Sequence, residues 1–123
     1  MGRRIYMKLT PGELLKLLSD PTRLRSLMLL MQEGELCVCE LTHALGVIQP
    51  KISRHLASLR DTQVVVDKRA GQWVYYRINP KLPGWAITIL NAALKGIKPE
   101  KQFRDDLKKL NSMPNRPENQ ICA

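Results

Sequence analysis

Two cysteines separated by a single residue, Cys37 and Cys39, are the side chains of this sequence best suited to chemistry. Thiolates bind soft metal and metalloid ions, and a helix N-terminus lowers the pKa of a thiol and so favours the thiolate. The sequence predicts a helix that starts at about Cys39. Glu35 and Glu40, which lie beside the pair, partly offset the lowering of the thiol pKa by this helix. One such cysteine would be interpreted as a small buried side chain, but the pair predicts a site for a thiophilic ion.

Residues two apart in one helix point to nearly opposite sides. The two sulfurs therefore meet at one ion only if Cys37 lies in non-helical backbone or if the first turn unwinds. We expect ion binding to distort this helix and the element that it supports. His43 lies four residues after Cys39, so that Cys37, Cys39 and His43 form an alternative site for a borderline metal such as Zn(II). An exposed helical histidine without a ligand role is the plainer interpretation of His43.

Capping residues delimit the elements that must position these thiols. Thr10 and Glu13 form a capping box for a helix that runs to about Ser19, and Asp20 opens a second helix that stops at Gly34. The pattern then predicts, in order, a short helix over about 39–45, a helix from Gln49, a β-hairpin made of 64–69 and 73–78, and apolar and charged helices over 85–94 and about 100–110. The fold class is mainly α with a small β-hairpin (α+β).

Four segments follow from these elements. We expect a basic N-terminal extension over 1–9, a central domain over 10–96, a C-terminal helix over 97–110 and a disordered tail over 111–123. Two short helices on either side of Gly46 have the form of a helix-turn-helix, which the hairpin extends to a winged helix.

Charge and exposure predict a double-stranded DNA partner. The chain carries 20 Lys and Arg against 11 Asp and Glu, a net charge of +9, which favours a polyanion. Side chains suited to bases and phosphates cluster on the fourth helix and at the hairpin tip, namely Gln49, Lys51, Ser53, Arg54, His55, Lys68, Arg69 and Gln72. His55 could instead be an interior histidine.

Other functional classes fit the sequence less well. No segment has the length and composition of a membrane span or an export signal, so we expect a cytoplasmic protein whose three cysteines stay reduced. No βαβ unit, phosphate loop or acid-base constellation accompanies the thiols, so we expect no enzymatic activity and no required cofactor. A thiol oxidation sensor on the same DNA-binding scaffold is the alternative, and a thiol redox enzyme a remote one.

Three segments carry a family resemblance: 35–41 around the cysteines, 49–56 on the fourth helix and 71–77 in the hairpin. They resemble the ArsR/SmtB family of winged-helix metal-sensing repressors, and its arsenite- and antimonite-responsive branch above all, over about 14–94. The resemblance implies a homodimer that occupies the operator of an arsenic-resistance operon and leaves when As(III) or Sb(III) binds. It also implies a dimer interface on the first and last core helices, here Leu14, Leu17, Leu18, Trp85, Ile89 and Leu90.

One departure from the family pattern concerns the third ligand. The family motif usually has a third cysteine one helical turn after the second, where this chain has Thr42. As(III) prefers three soft ligands, and a hydroxyl is a poor substitute. Cys122, in the tail, is the other thiol of the chain and a possible third ligand beside Cys37 and Cys39. The alternative is two protein thiolates with an exogenous thiol or hydroxide.

Overall fold

A computed structural model describes residues 9–114. Within them lie six helices and three strands: α1 (Pro11–Leu18), α2 (Pro21–Glu33), β1 (Glu35–Cys37), α3 (Val38–Leu45), α4 (Gln49–Asp61), β2 (Val65–Ala70), β3 (Trp73–Ile78), α5 (Gly84–Ile97) and α6 (Lys101–Asn111). This is the predicted mainly α class with a hairpin. None of the helices in this range is both long and apolar enough to cross a bilayer.

The helix boundaries come from the capping residues that predicted them. The Thr10 hydroxyl accepts the Glu13 backbone N–H at 3.1 Å, and the Glu13 carboxylate accepts the Thr10 N–H at 3.0 Å. Asp20 caps α2 by accepting the Thr22 N–H at 2.8 Å. Gly34 ends α2 with φ +95°, a conformation that side chains with a Cβ rarely adopt. The predicted starts and ends of these two helices are confirmed.

The sheet has one strand more than the sequence predicted. β3 lies between β1 and β2 and pairs antiparallel with both. The hairpin was expected, and its two-residue turn has Gly71 at φ +65°, as primed hairpin turns require. The addition is β1, in which Cys37 is opposite Tyr75 on β3. This pairing connects the cysteine segment directly to the wing.

The core is aliphatic and centres on α2. Leu27, Met28 and Leu29 are fully buried in consecutive positions, so α2 is covered on nearly all sides. The helix-turn-helix packs on it: α3 and α4 both contact α2. Gly46, at φ +68°, makes the turn between α3 and α4. The cysteine helix and the fourth helix therefore share one rigid support.

The C-terminal helix α6 is an integral part of this core, although its charge had predicted only a weak helix. It packs against α3 and buries Phe103 and Leu110. Its Asp106 is buried and pairs with Arg25 on α2 through two hydrogen bonds of 2.8 and 3.0 Å. Arg25 also donates to the Leu45 carbonyl at the end of α3, at 3.0 Å. One ion pair thus joins α2, α3 and α6.

Replacing Asp106 by Ala should lower the free energy of unfolding by about 3 kcal/mol, because Arg25 would keep a charge in a largely buried place without its partner. The measurement is urea unfolding followed by circular dichroism. Asp105→Ala is the matched control, since Asp105 pairs only with the exposed Lys101 at the surface. Equal losses for the two variants would show that the buried pair does not hold α6 in place.

Candidate functional site

The two cysteines meet because the chain changes conformation between them. Cys37 ends β1 and is the N-cap of α3, with extended backbone at φ −92° and ψ 169°, whereas Cys39 lies in the first helical turn. Their sulfurs are 3.1 Å apart. A disulfide measures about 2.05 Å, so the two sulfurs are in contact and not bonded to each other. Of the two arrangements that could bring the sulfurs together, the structure has the one in which Cys37 lies in non-helical backbone.

Cys37 caps α3 with its sulfur. The Cys37 Sγ accepts the backbone N–H of Glu40, and the Glu40 carboxylate accepts the backbone N–H of Cys37 at 2.9 Å. This is a capping box in which a thiol takes the place of the usual Ser or Thr hydroxyl. The atom expected to bind an ion therefore also satisfies a backbone donor at the start of the helix.

Burial raises the pKa of the Cys37 thiol. Backbone N–H groups of Glu40 and Cys39 act in the opposite direction and lower this pKa, while the Glu40 carboxylate adds to the rise. The pKa of Cys37 therefore shifts in the opposite direction to the lowering expected from the helix N-terminus. Removal from water outweighs the helix because this side chain is almost fully covered.

A cavity of about 190 Å³ opens beside the sulfurs. Cys37 at the end of β1 forms one wall together with Val38 and Cys39 at the start of α3. The other walls come from the start of α4 and from the wing: Gln49, Gln72, Trp73 and Val74. Sequence patterns had not suggested Trp73 or Val74 for this site. The β1–β3 pairing places the start of β3 beside Cys37, and no sequence pattern indicated it.

Within residues 9–114 the cysteine sulfurs that line this cavity are those of Cys37 and Cys39. Among residues 9–114, no group of three His, Cys, Asp or Glu side chains is placed to hold a metal ion. His43 is exposed, which does not favour the alternative Zn(II) site. Thr42 is half-buried, and its hydroxyl has no hydrogen-bond partner in this part of the chain. Cys122 lies outside the described residues.

The side chains predicted to contact DNA are exposed with one exception. Exposed positions on α4 and on the wing are Gln49, Lys51, Ser53, Arg54, Lys68, Arg69 and Gln72. Lys68 also pairs with Glu35 across the sheet at 3.3 Å, an exposed contact that solvent screens. These residues form a polar and cationic surface on the fourth helix and the wing.

His55 is the exception, and its geometry fits the alternative of an interior histidine. Its side chain is only 15% exposed and lies between Asp20 and Arg23 at the start of α2. Arg23 Nη1 is 3.4 Å from His55 Nδ1, and Asp20 Oδ1 is 3.7 Å from His55 Nε2. The arginine can only donate, so Nδ1 is the acceptor and Nε2 carries the proton. His55 thus positions α4 on α2.

Known proteins match this chain over most of its length. A family model described as bacterial regulatory protein, arsR family, matches residues 20–65. The arsenic resistance transcriptional regulator ArsR1 of Pseudomonas putida is 49% identical over 118 residues, which cover 94% of this chain and 89% of that protein. The chain belongs to the ArsR family of bacterial regulatory proteins.

Two further relatives agree with this assignment. The arsenical resistance operon repressor of Escherichia coli is 51% identical over 85 residues, covering 69% of this chain and 73% of that protein. The crystal structure of the AntR antimony-specific transcriptional repressor matches with a TM-score of 0.59 at 30% identity, covering 79% of this chain and 87% of that one. The winged-helix fold that the sequence resemblance implied is confirmed.

The dimer residues expected from the ArsR resemblance divide into two groups. Leu14, Leu17 and Leu90 are buried in the subunit's own core, so they are not available to a partner. Leu18 and Ile89 are half-buried, and Trp85 is 37% exposed. Sequence periodicity had selected the apolar face of each helix without separating the residues that fill the core from those at its edge. Leu15, which was not selected, is 55% exposed.

The contact of His55 predicts a pH dependence of stability. Burial lowers the pKa of His55, with Arg23 and the α4 cations Lys51 and Arg54 acting in the same direction and Asp20 against it. The unfolded chain therefore binds the proton more readily, and this contribution to stability, present above about pH 6.5, is lost as the pH falls towards the lowered pKa.

His55→Asn tests this dependence, because the amide oxygen can still accept from Arg23 but does not titrate. Between pH 7.5 and 5.5 the free energy of unfolding of the wild type should fall more than that of the variant, as measured by urea titration at each pH. Identical pH profiles for the two proteins would rule out a neutral, buried His55. Asp20, whose pKa is lowered chiefly by the Arg23 backbone N–H, loses its contribution in a separate, more acidic range.

Proposed function

We propose that this ArsR-family protein is a homodimeric, cytoplasmic repressor that binds operator DNA and dissociates when As(III) or Sb(III) binds Cys37 and Cys39. The observation that carries the proposal is the pair of sulfurs 3.1 Å apart at the start of α3, in a cavity that Gln49 and Gln72 also line. The named functions of the relatives, arsenic and antimony regulation, support the choice of ion. No resident cofactor is required.

The separation of the sulfurs suits a trivalent metalloid. Two sulfurs about 2.3 Å from one soft ion are about 3.3 Å apart at an angle of about 90°, and about 3.8 Å apart at a tetrahedral angle. The observed 3.1 Å is nearer to the narrow angle of a pyramidal ion. The pair therefore needs less movement to bind As(III) or Sb(III) than to join a tetrahedral Zn(II) site.

Binding of neutral arsenous acid is a condensation. Each thiol replaces one hydroxide on arsenic, forms an As–S bond and gives its proton to the leaving hydroxide as water. Cys37 and Cys39 together convert As(OH)₃ to a dithiolate As–OH and release two waters. A third thiol would replace the last hydroxide in the same way, and we assign that role to Cys122, with an exogenous thiol or a retained hydroxide as the alternatives.

The capping role of Cys37 explains how binding reaches the DNA surface. Formation of an As–S bond would draw the Cys37 sulfur towards arsenic, and we expect this movement to lengthen its hydrogen bond with the Glu40 N–H and to weaken the cap of α3. Loss of an oxygen N-cap costs about 1 kcal/mol and a sulfur cap is weaker, so this step supplies only part of the roughly 1–3 kcal/mol typical of coupling between two sites. Since α3 packs against α4, a displaced start of α3 shifts the support of the fourth helix.

The cavity gives a second, more direct route. Arsenic bound to the two sulfurs would enter a space whose far walls are Gln49 on α4 and Gln72 and Trp73 on the wing. Both elements belong to the proposed DNA surface. An ion that pushed α4 and the wing apart would change the distance between them. DNA contact needs α4 in the major groove and the wing on the adjacent backbone at the same time.

Within the exposed surface, some side chains are suited to base edges and others to phosphates. Arg54 and Gln49 have the side chains that pair with guanine and adenine edges, while Lys51 and Ser53 are suited to phosphates. Lys68 and Arg69 at the wing would contact the adjacent backbone or minor groove. The dimer would present two such surfaces, with α1 and α5 joined to a partner through their exposed Leu15 and Trp85.

A DNA-release titration tests the sensor assignment. Saturating As(III) under reducing conditions should weaken operator binding of the wild type by about 5–150-fold, measured by fluorescence anisotropy at constant salt. Cys37→Ser and Cys39→Ser should remain bound, because each variant loses one of the two converging sulfurs. Normal release by Cys37→Ser would refute the site.

Two further experiments test the third ligand and the alternative of an oxidation sensor. Cys122→Ser should raise the As(III) concentration needed for release if the tail thiol is the third ligand, and should match the wild type otherwise.

Peroxide in metal-free buffer tests the alternative of an oxidation sensor, which the contact between the sulfurs also permits. In that reaction two thiols give two hydrogens to peroxide and form a disulfide and two waters. Release by peroxide but not by As(III) would replace the metalloid proposal.

Tryptophan fluorescence tests the role of the cavity. Trp73 lines it, whereas Trp85 lies on α5 and does not. As(III) should change the emission of the wild type and of Trp85→Phe to a similar extent, and should leave the emission of Trp73→Phe nearly unchanged. An emission change that followed Trp85 instead would place the bound ion, or the movement it causes, away from the wing.

A further inference from the structure

Ile48, in the turn of the helix-turn-helix, is unusually exposed. It shows 70% of its surface to solvent, more than any other large apolar side chain in residues 9–114. Val47 before it packs against the core, and Gln49 after it begins α4. The side chain of Val47 therefore points into the core, and the side chain of Ile48 points into solvent.

The fold has no local use for an isoleucine at this position. Ile48 is the N-cap of α4, and its carbonyl accepts the N–H groups of Lys51 and Ile52 at 3.1 and 3.2 Å. Its side chain makes no capping bond, whereas Ser, Thr, Asp or Asn there would satisfy an orphan donor. Isoleucine thus provides no side-chain cap and adds nothing to the core, so its side chain is accessible to a contact outside the subunit.

We propose that Ile48 reads thymine by packing against its 5-methyl group in the major groove. This inference rests on the proposed DNA-binding function and adds a specificity residue to it. The first residues of a recognition helix are the ones that reach base edges. Thymine alone presents a methyl group there. Gln49, adjacent to Ile48, has the side chain that pairs with adenine, so the two residues together favour a site rich in A·T pairs.

The surroundings of Ile48 favour DNA over an apolar protein partner. The exposed cations Lys51 and Arg54 lie within two turns of it on the same helix. An apolar protein surface would have to cover these charges, at a cost in desolvation. A DNA groove offers phosphates to the cations and a methyl group to the isoleucine at the same time.

Uracil substitution isolates the contact, because uracil differs from thymine only in lacking the methyl group. An operator fragment is first selected from a random DNA pool by the full-length protein, and each thymine is then replaced by uracil in turn. For the wild type, one or two substitutions per half-site should weaken binding by about fourfold, the effect expected for one buried methyl group. The other substitutions should have no effect.

The Ile48→Ser variant is then compared with the wild type on thymine DNA and on uracil DNA. This variant should bind thymine DNA about as weakly as the wild type binds uracil DNA, and should no longer distinguish the two. Serine also supplies the missing cap, so the Tm should rise by about 3–5 °C while DNA affinity falls. Lys51→Gln is the control: it should weaken binding to both DNAs equally and reduce the salt dependence by about one charge.

Two results would overturn the proposal. One is an Ile48→Ser protein that still prefers thymine to uracil at the same positions. The other is a variant that loses DNA affinity without any thymine dependence and sediments as a monomer, which would assign Ile48 to a protein interface. Wild-type protein that binds thymine DNA and is released by As(III) retains the proposed function in either case, whereas failure to bind any DNA overturns both.

Discussion

The hydrogen bond from the Glu40 N–H to the Cys37 sulfur is the contact on which the rest of the site depends. A sulfur is a weak acceptor compared with the oxygen that usually occupies this position. The helix therefore begins on a weak cap, and the same atom has a much stronger alternative partner in a thiophilic ion. In the proposed mechanism the ion binds the same atom that caps the helix, so the sensor would need no separate switch element.

Strand β1 is what makes this competition possible. Three residues long, it holds Cys37 extended against Tyr75 of β3, while Cys39 is already helical. Had both cysteines been in α3, their side chains would point apart. The sequence predicted non-helical backbone at Cys37 as one of two ways for the sulfurs to converge. It did not predict the strand that holds Cys37 there, because three residues carry no detectable alternation of polar and apolar side chains.

Local signals predicted the elements well, and contacts distant in sequence account for what they did not predict. Thr10, Asp20 and the glycines Gly34 and Gly46 mark boundaries through chemistry within a few residues. The inward position of His55 depends instead on Arg23 and Asp20, more than thirty residues earlier. On a helical wheel His55 lies beside the polar face, and only the packed position of α2 distinguishes a bridging histidine from a DNA contact.

The two ends of α3 are secured very differently, and this asymmetry is what a local sensor needs. At its C-terminus the Leu45 carbonyl accepts from Arg25, whose charge is paired with the buried Asp106. Breaking a buried pair costs about 3–5 kcal/mol, a sizeable part of the stability of a small domain. A ligand that acted there would risk unfolding the protein. The sulfur cap at the N-terminus is weaker than an oxygen cap of about 1 kcal/mol, so the proposed ligand could disturb it while α6 keeps the rest of α3 in place.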